Sequence, residues 1–361
     1  MTKFKKGGQW PTIVLMGGEG IGPEVVGSAG DVLKALMPKA EFVSPIHGVE
    51  GVAKFGKQIP DECANACKSA DAVLFGTASD NTSDVIGFMR WGLQNFASVR
   101  PAKLRQGVYC PIKTKGDVDL VIVRECLEGE YPAREADLET FTQRWPGFKD
   151  HLGYEIAKKG KFGVRVTTEH GTKRICDVAV KTAEIRAKEK GRPGKVTIVT
   201  KANVLRQTDG MFVEIAQQTL KKAGVEYNEL YIDEACRRLV ISPERFDVIL
   251  TPNLFGDIMS SITAELAGGI GVAPSGVTGG VSPYYESVHG SAPDIAGKGI
   301  ANPLATILSA QMMLEDLNLW DQARALEKAV VKLLSDKKTL TPDLGGTAST
   351  NDVTKALIAL L

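Results

Sequence analysis

Residues Thr251 to Pro303, TPNLFGDIMSSITAELAGGIGVAPSGVTGGVSPYYESVHGSAPDIAGKGIANP, constrain this chain more than any other stretch. They join an acidic residue, a helical run, a glycine-rich hinge and a second loop dense in Gly, Ser and Pro. The preceding run Phe246-Asp247-Val248-Ile249-Leu250 reads as a strand, and an open α/β sheet presents its ligand groups just beyond such strand ends. Asp257 is then expected in a turn. There it either caps a helix starting at Ile258 or offers a carboxylate to a hard divalent cation.

The second loop, His289-Gly290-Ser291-Ala292-Pro293-Asp294-Ile295, places small residues where a backbone could approach a nucleotide. Asp294 could accept hydrogen bonds from a ribose diol and would repel a 2′-phosphate, which argues for NAD over NADP. Another glycine-rich turn, Gly17-Gly18-Glu19-Gly20-Ile21-Gly22-Pro23, follows the apolar run Thr12–Met16. Its spacing is not G-x-G-x-x-G, and Pro23 stands where a helix would begin, so it reads as a structural turn that helps shape a cleft.

Short apolar runs at 12–16, 72–76, 120–123 and 195–200 read as buried strands, and 24–37, 61–69, 174–190, 303–317, 320–335 and 351–361 as helices. Residues 132–170 are charged, aromatic and poorly periodic, and are expected to reach toward a partner rather than form a core. A chain of 361 residues exceeds one typical domain, so two lobes are expected. Lys and Arg total 44 against 43 Asp and Glu, which gives no electrostatic footprint for nucleic acid or an anionic membrane. No run matches a membrane span, and the start lacks the apolar core of a secretion signal, so a cytoplasmic protein is expected. The six scattered cysteines read as reduced thiols.

Two kinds of cation stand out. Arg90, Arg100 and Arg124 could converge on a di- or tricarboxylate, because guanidinium groups bind carboxylates in bidentate geometry; taken singly, each is equally a surface ion-pair partner. Lys201, at the end of the strand Lys195–Thr200, is either a solvated lysine or one whose proton is loosened by burial and neighbouring charge.

Asn253-Leu254-Phe255-Gly256-Asp257, the glycine hinge and His289 through Pro303 resemble the β-decarboxylating dehydrogenases of isocitrate, 3-isopropylmalate, homoisocitrate and tartrate/D-malate. The resemblance extends to Arg90, to Arg100 ten positions on before Pro101-Ala102-Lys103, and to Arg124-Glu125-Cys126-Leu127-Glu128-Gly129-Glu130-Tyr131. It also covers Lys201-Ala202-Asn203 with Thr208-Asp209-Gly210-Met211-Phe212. It implies an α/β, two-lobed isopropylmalate dehydrogenase-like fold, not a Rossmann fold. Residues 1–100 and 268–361 would form the larger, cofactor-side lobe, and 101–267 a smaller lobe for dimerisation and substrate, with an arm around 132–170.

By the same resemblance, Tyr131 is the general acid, Lys201 the base, and Arg90, Arg100 and Arg124 the substrate clamp. Asp233 and Asp257 hold Mg²⁺ or Mn²⁺, and His289 to Ile295 with Asn302 bind NAD. Lys201 and Asp233 enter the neighbouring subunit's site, so a homodimer or higher homo-oligomer with shared active sites is implied. The implied reaction is NAD- and metal-dependent oxidative decarboxylation of a (2R)-malate-type acid of the 3-isopropylmalate or D-malate/tartrate class, with isocitrate or homoisocitrate as the alternative. Three departures stand out. Glu19 replaces an aspartate, Thr77-Ala78-Ser79 alters the turn near the nicotinamide, and Ser261 stands where a second metal-binding aspartate is usual. Ser261 leaves open a non-catalytic, binding paralogue, which would bind NAD without turnover. Ahead of Arg90, Asp84 would repel a third carboxylate, and Ile86 followed by Gly87 matches neither the serine–asparagine pattern of isocitrate enzymes nor the paired leucines of isopropylmalate enzymes. This favours an apolar, small or absent 3-substituent.

Overall fold

The apolar run Thr12–Met16 forms the buried part of the first strand, β1 (Thr12–Gly18). The strands that follow are β2 (Glu41–Val43), β3 (Ala72–Thr77), β4 (Ala97–Lys103), β5 (Asp119–Glu125), β6 (Glu135–Asp137), β7 (Lys161–Gly163), β8 (Lys195–Thr200), β9 (Glu226–Tyr231), β10 (Val248–Thr251), β11 (Pro274–Thr278) and β12 (Tyr284–Ser287). This is a computed structural model that describes residues 4–361 apart from Lys113, Lys115 and Lys158. The first three residues of the leader reading therefore lie outside the described residues.

Among the described residues ten strands make one sheet in the order β2-β1-β3-β12-β11-β4-β5-β10-β8-β9. Its two wings, β2-β1-β3-β12 and β5-β10-β8-β9, are parallel within themselves. Between them β11 is antiparallel to both β12 and β4, and β4 is antiparallel to β5, so the wings run in opposite directions. A doubly wound dinucleotide fold keeps its strands parallel; this sheet does not.

Alternation along each strand divides the core by face. Ile13 and Leu15 pack with Leu33, Leu74, Leu308 and Leu326, whereas Val14 and Met16 pack with Val73, Phe75, Met89 and Tyr284. On the other wing Val121 and Val123 join Ile175, Phe212 and Leu250, and Leu120 and Ile122 join Leu239, Ile249 and Met259. Burial on both faces explains why these strands read as continuous apolar runs. The first glycine-rich turn serves packing, as expected. Gly20 sits at φ +59°, where a Cβ would lie 1.9 Å from Ser291 O, so this turn and the second loop touch backbone to backbone.

Most helices stand where periodicity places them, including Asp61–Ser69 and Trp320–Asp336. The helix expected from 174 starts earlier, at Glu169, because Thr168 Oγ1 accepts the Gly171 N–H and caps it. Within 132–170, β6 and β7 pair as a separate two-stranded sheet, with the helix Leu138–Arg144 between them. Phe141 packs on Trp145, Phe148 and Phe162 with centroids 5.0, 5.2 and 5.0 Å away. The segment thus has a small aromatic cluster of its own, which its poor periodicity concealed. Trp145, Phe148, Leu152 and Tyr154 remain exposed.

Candidate active site

Asp257 does not cap a helix. Pro252 fixes the N-terminal boundary and the helix runs Asn253–Leu266, so Asp257 lies in its second turn, directly after β10. The expectation of a turn at Asp257 was therefore wrong by one turn of helix: proline suits the N-terminal end of a helix, and Asn253 can already take helical geometry. Gly256 permits close packing here, since a methyl group would come 2.7 Å from Arg124 Cγ.

Asp257 gathers the arginines. Its Oδ1 accepts from Arg100 Nη1 at 3.0 Å and from Arg124 Nη1, and its Oδ2 accepts the Tyr131 hydroxyl proton. Burial alone would raise the Asp257 carboxyl, but Arg124 and Arg100 outweigh it and hold the group below the usual carboxylate range. The Tyr131 phenol is pushed up, first by burial and then by its bond to Asp257, against the opposing pull of Arg124. The guanidinium groups of Arg124 and Arg90 stack on the Tyr131 ring at 4.8 and 5.7 Å from its centroid.

Sequence reading missed the residues that hold these groups. Arg100 Nε donates to Ser98 Oγ at 3.2 Å and its Nη1 to Ser260 Oγ at 2.6 Å; Arg124 Nε and Nη2 donate to Asn253 Oδ1 at 3.1 and 2.7 Å. Glu286, on β12 three residues before His289, is buried among the three arginines, and burial raises its carboxyl despite them. Asn253 and Asp209 stood inside quoted motifs, so their positions were visible but their partners were not. Ser260, not Ser261, faces the cluster; Ser261 is exposed.

Arg90, Arg100, Asp257 and Glu286 open onto a cleft of about 360 Å³, whose far wall is Thr77–Ser79 and Ile86. Ser83 lines it too, whereas Asp84 is exposed and outside that lining, which corrects the expectation that Asp84 would repel a substrate carboxylate. The helical turn Ser83–Gly87 presents residues 83 and 86 on one side and 84 on another. A larger cleft, about 740 Å³ beside His47, contains none of the arginines.

Lys201 and Asp233 form a second cluster. Lys201 Nζ pairs with Asp233 Oδ1, and this bond holds the Asp233 carboxyl below its usual range. Their side chains are 28% and 67% exposed, and among the described residues neither bonds to Asp257, Tyr131 or the three arginines. The clusters are tied indirectly. The Lys201 N–H donates to Asp209 at 2.7 Å, Asp209 accepts from Arg165 at 2.7 Å, and Arg165 reaches Glu130 at 3.2 Å, next to Tyr131. Among the described residues no three His, Cys, Asp or Glu side chains are grouped to hold a metal.

The loop from His289 is anchored at both ends. The Ile21 N–H donates to Ser291 O at 2.9 Å, and the Ala301 N–H to Glu24 Oε1 at 3.1 Å. Asn302 Nδ2 donates to Asp343 Oδ2 at 2.8 Å. Gly290 has open space, Pro293 and Asp294 are exposed, and Ala292 takes φ +38°. Among the described residues the buried His289 Nε2 and Ser287 Oγ have no hydrogen-bond partner at the cleft edge, and burial lowers the His289 imidazole pKa. Such orphaned polar atoms suit a polar ligand that completes their hydrogen bonds.

Residues 12–357 match the family described as isocitrate/isopropylmalate dehydrogenase. The chain belongs to this family. A 3-isopropylmalate/3-methylmalate dehydrogenase of Methanocaldococcus jannaschii is 42% identical over 94% of this chain and 95% of its own. An isocitrate/homoisocitrate dehydrogenase of Thermus thermophilus is 41% identical over 97% of this chain and 98% of its own. The crystal structure of isocitrate dehydrogenase from Methylococcus capsulatus matches 97% of this chain and 99% of that one at TM-score 0.82 and 33% identity. As a family member the protein is an oxidoreductase that oxidises a hydroxyl group with decarboxylation, acting on small hydroxy acids. Among the described residues no helix is long and apolar enough to cross a membrane.

Proposed function

We propose that the protein catalyses NAD-dependent, Mg²⁺- or Mn²⁺-dependent oxidative decarboxylation of a (2R)-malate-type acid with a small apolar 3-substituent or none. The observation that carries this reading is the convergence of Arg100, Arg124 and Tyr131 on Asp257 beside a cleft walled by Ile86. The three arginines hold the two carboxylates of the malate core and orient the bond to be broken. Ile86 meets the 3-substituent, with Gly87 leaving room beside it. The 3-methylmalate in the name of the 42% identical relative agrees with such a pocket. Isocitrate or homoisocitrate is the second reading, favoured by the Ser83 hydroxyl on the same wall and by the name of the Thermus thermophilus relative.

Lys201 takes the hydroxyl proton, and Tyr131 returns a proton to carbon after decarboxylation. The raised Tyr131 phenol keeps its proton for that step. Within one chain Lys201 and Asp233 stand apart from Asp257, so a second protomer supplies them and the working form is a homodimer or larger homo-oligomer. The lobes are 1–100 with 268–361, and 101–267. NAD suits the orphaned atoms of His289 and the open backbone at Gly290, with Ser291, Ala292, Pro293, Asp294, Ile295 and Asn302 around it. Asp257 of one protomer and Asp233 of another fit a hard cation by charge, which neither does alone; Ser261 adds only an exposed hydroxyl. Bound NAD supplies the hydride acceptor and the bound cation the Lewis acidity at the substrate oxygen. The buried free cysteines Cys63, Cys67, Cys126 and Cys176 accord with a cytoplasmic setting.

The test is NADH absorbance with NAD and Mn²⁺ against D-malate, 3-methylmalate, 3-isopropylmalate, isocitrate and homoisocitrate, with and without EDTA. Turnover of a malate with a small substituent, abolished by EDTA, is expected. NAD binding with no turnover on any of them would favour the non-catalytic paralogue.

A further inference from the structure

We infer that Asn253 is a positioning residue that fixes the Arg124 guanidinium without neutralising it and couples it to the loop carrying Tyr131. The inference rests on the reading of Arg124 as a carboxylate-binding group. Arg124 is fully buried, and its Nε and Nη2 both donate to Asn253 Oδ1. The amide nitrogen of Asn253 donates in turn to the Glu128 carbonyl at 2.8 Å. Asn253 is 1% exposed, so water does not substitute for either partner. The orientation of the amide follows from its partners, two N–H donors on one side and a carbonyl on the other.

No other side chain of this size meets both demands. A carboxylate would accept from Arg124 but would face the Glu128 carbonyl with a second acceptor. It would also form a second ion pair with Arg124, which already meets Asp257 through Nη1. Because the amide oxygen is neutral, the charge of Arg124 stays available to an incoming carboxylate, and its remaining N–H bonds stay unspent.

The same amide organises the loop. Glu128 also accepts the Thr168 N–H at 2.9 Å and the Thr168 hydroxyl at 2.5 Å, and the Leu127 and Glu128 N–H groups donate to Glu125. The segment from 125 to 131 is therefore held at Glu125, at Glu128 and through Asn253, and Tyr131 at its end lands on Asp257.

The experiment compares the whole protein with Asn253→Asp and Asn253→Ala by calorimetric titration with D-malate, isocitrate and NAD in Mg²⁺, alongside kcat, KM and thermal melting. Asn253→Asp, the closer in shape, is expected to weaken dicarboxylate binding at least tenfold and more than Asn253→Ala does, with NAD affinity within twofold of wild type. A purely structural role predicts the reverse order, following the melting temperatures, and that result would overturn the inference. Should Asn253→Asp not fold, an unchanged dicarboxylate affinity in Asn253→Ala would overturn it equally. Wild type that binds D-malate or isocitrate without turning it over would remove the enzymatic reading and leave this one standing; wild type that binds neither would remove both.

Discussion

Glu125 sits one residue beyond Arg124 and shows what burial does to a carboxylate that serves as a clamp. Burial lifts it to about 7, against the Glu128 and Leu127 N–H groups that donate to it. Its folded pKa lies above the unfolded one, so between them the folded protein binds more protons than the unfolded chain, and stability falls as pH rises. The window runs from 4.5 to about 7, and the loss is about 3 kcal/mol at most. Chemical denaturation at several pH values is expected to show this decline in wild type and a flatter profile in Glu125→Gln. An unchanged slope in the variant would show that another group is responsible. Asp257 acts oppositely: its lowered pKa gives stability that is present above the ordinary carboxylate range and lost as pH falls through the lowered value.

At the scale of the element, the helix Asn253–Leu266 carries most of the site. It holds Asn253 and Ser260 on its buried side, the half-buried Asp257 beside them, and Ser261 on its exposed side. Adding a carboxylate there, Ser261→Asp, places a second charge one turn beyond Asp257. Mn²⁺ affinity, read from the metal dependence of the melting temperature, is expected to tighten about tenfold, as charged oxygen ligands exceed hydroxyls for hard cations. No change would mean that residue 261 lies outside the metal site. The sequence announced this helix and its acid, because strand, acid and apolar periodicity are local properties. It misplaced the helix start, since Pro252 decides that boundary. The turn Ser83–Gly87 shows the same limit: Ile86 was legible as a pocket residue, but which of Ser83 and Asp84 faces the cleft depends on the phase of a short helix.

At the scale of the molecule, the two separated clusters make a quantitative demand on assembly. If one protomer gives Asp257 and Tyr131 and the other gives Lys201, mixing two dead variants restores sites. Co-refolding equal amounts of Tyr131→Phe and Lys201→Ala is expected to recover about a quarter of wild-type activity, because half the dimers are mixed and each has one intact site. Recovery no greater than the sum of the separate variants would place the whole site within one chain. The arginines, Tyr131 and Asp257 were legible because family motifs mark them. Their supports, Ser98 and Ser260 by hydrogen bonds and Glu286 by its charge, come from strands and a helix far apart in sequence, and nothing local marks their convergence.

The order of strands also sets the order in which the chain can fold. β3 pairs with β1 and with β12, and Tyr284 lies beside Val73, so one edge of β3 has no partner until the ribosome has delivered the residues near 284. Until then the nascent first wing presents an open, apolar strand edge, the feature most prone to pairing with another chain. Its contacts are long-range, so closure of that edge waits on the residues near 284, and the growing chain is most open to pairing with another chain just before β12 appears.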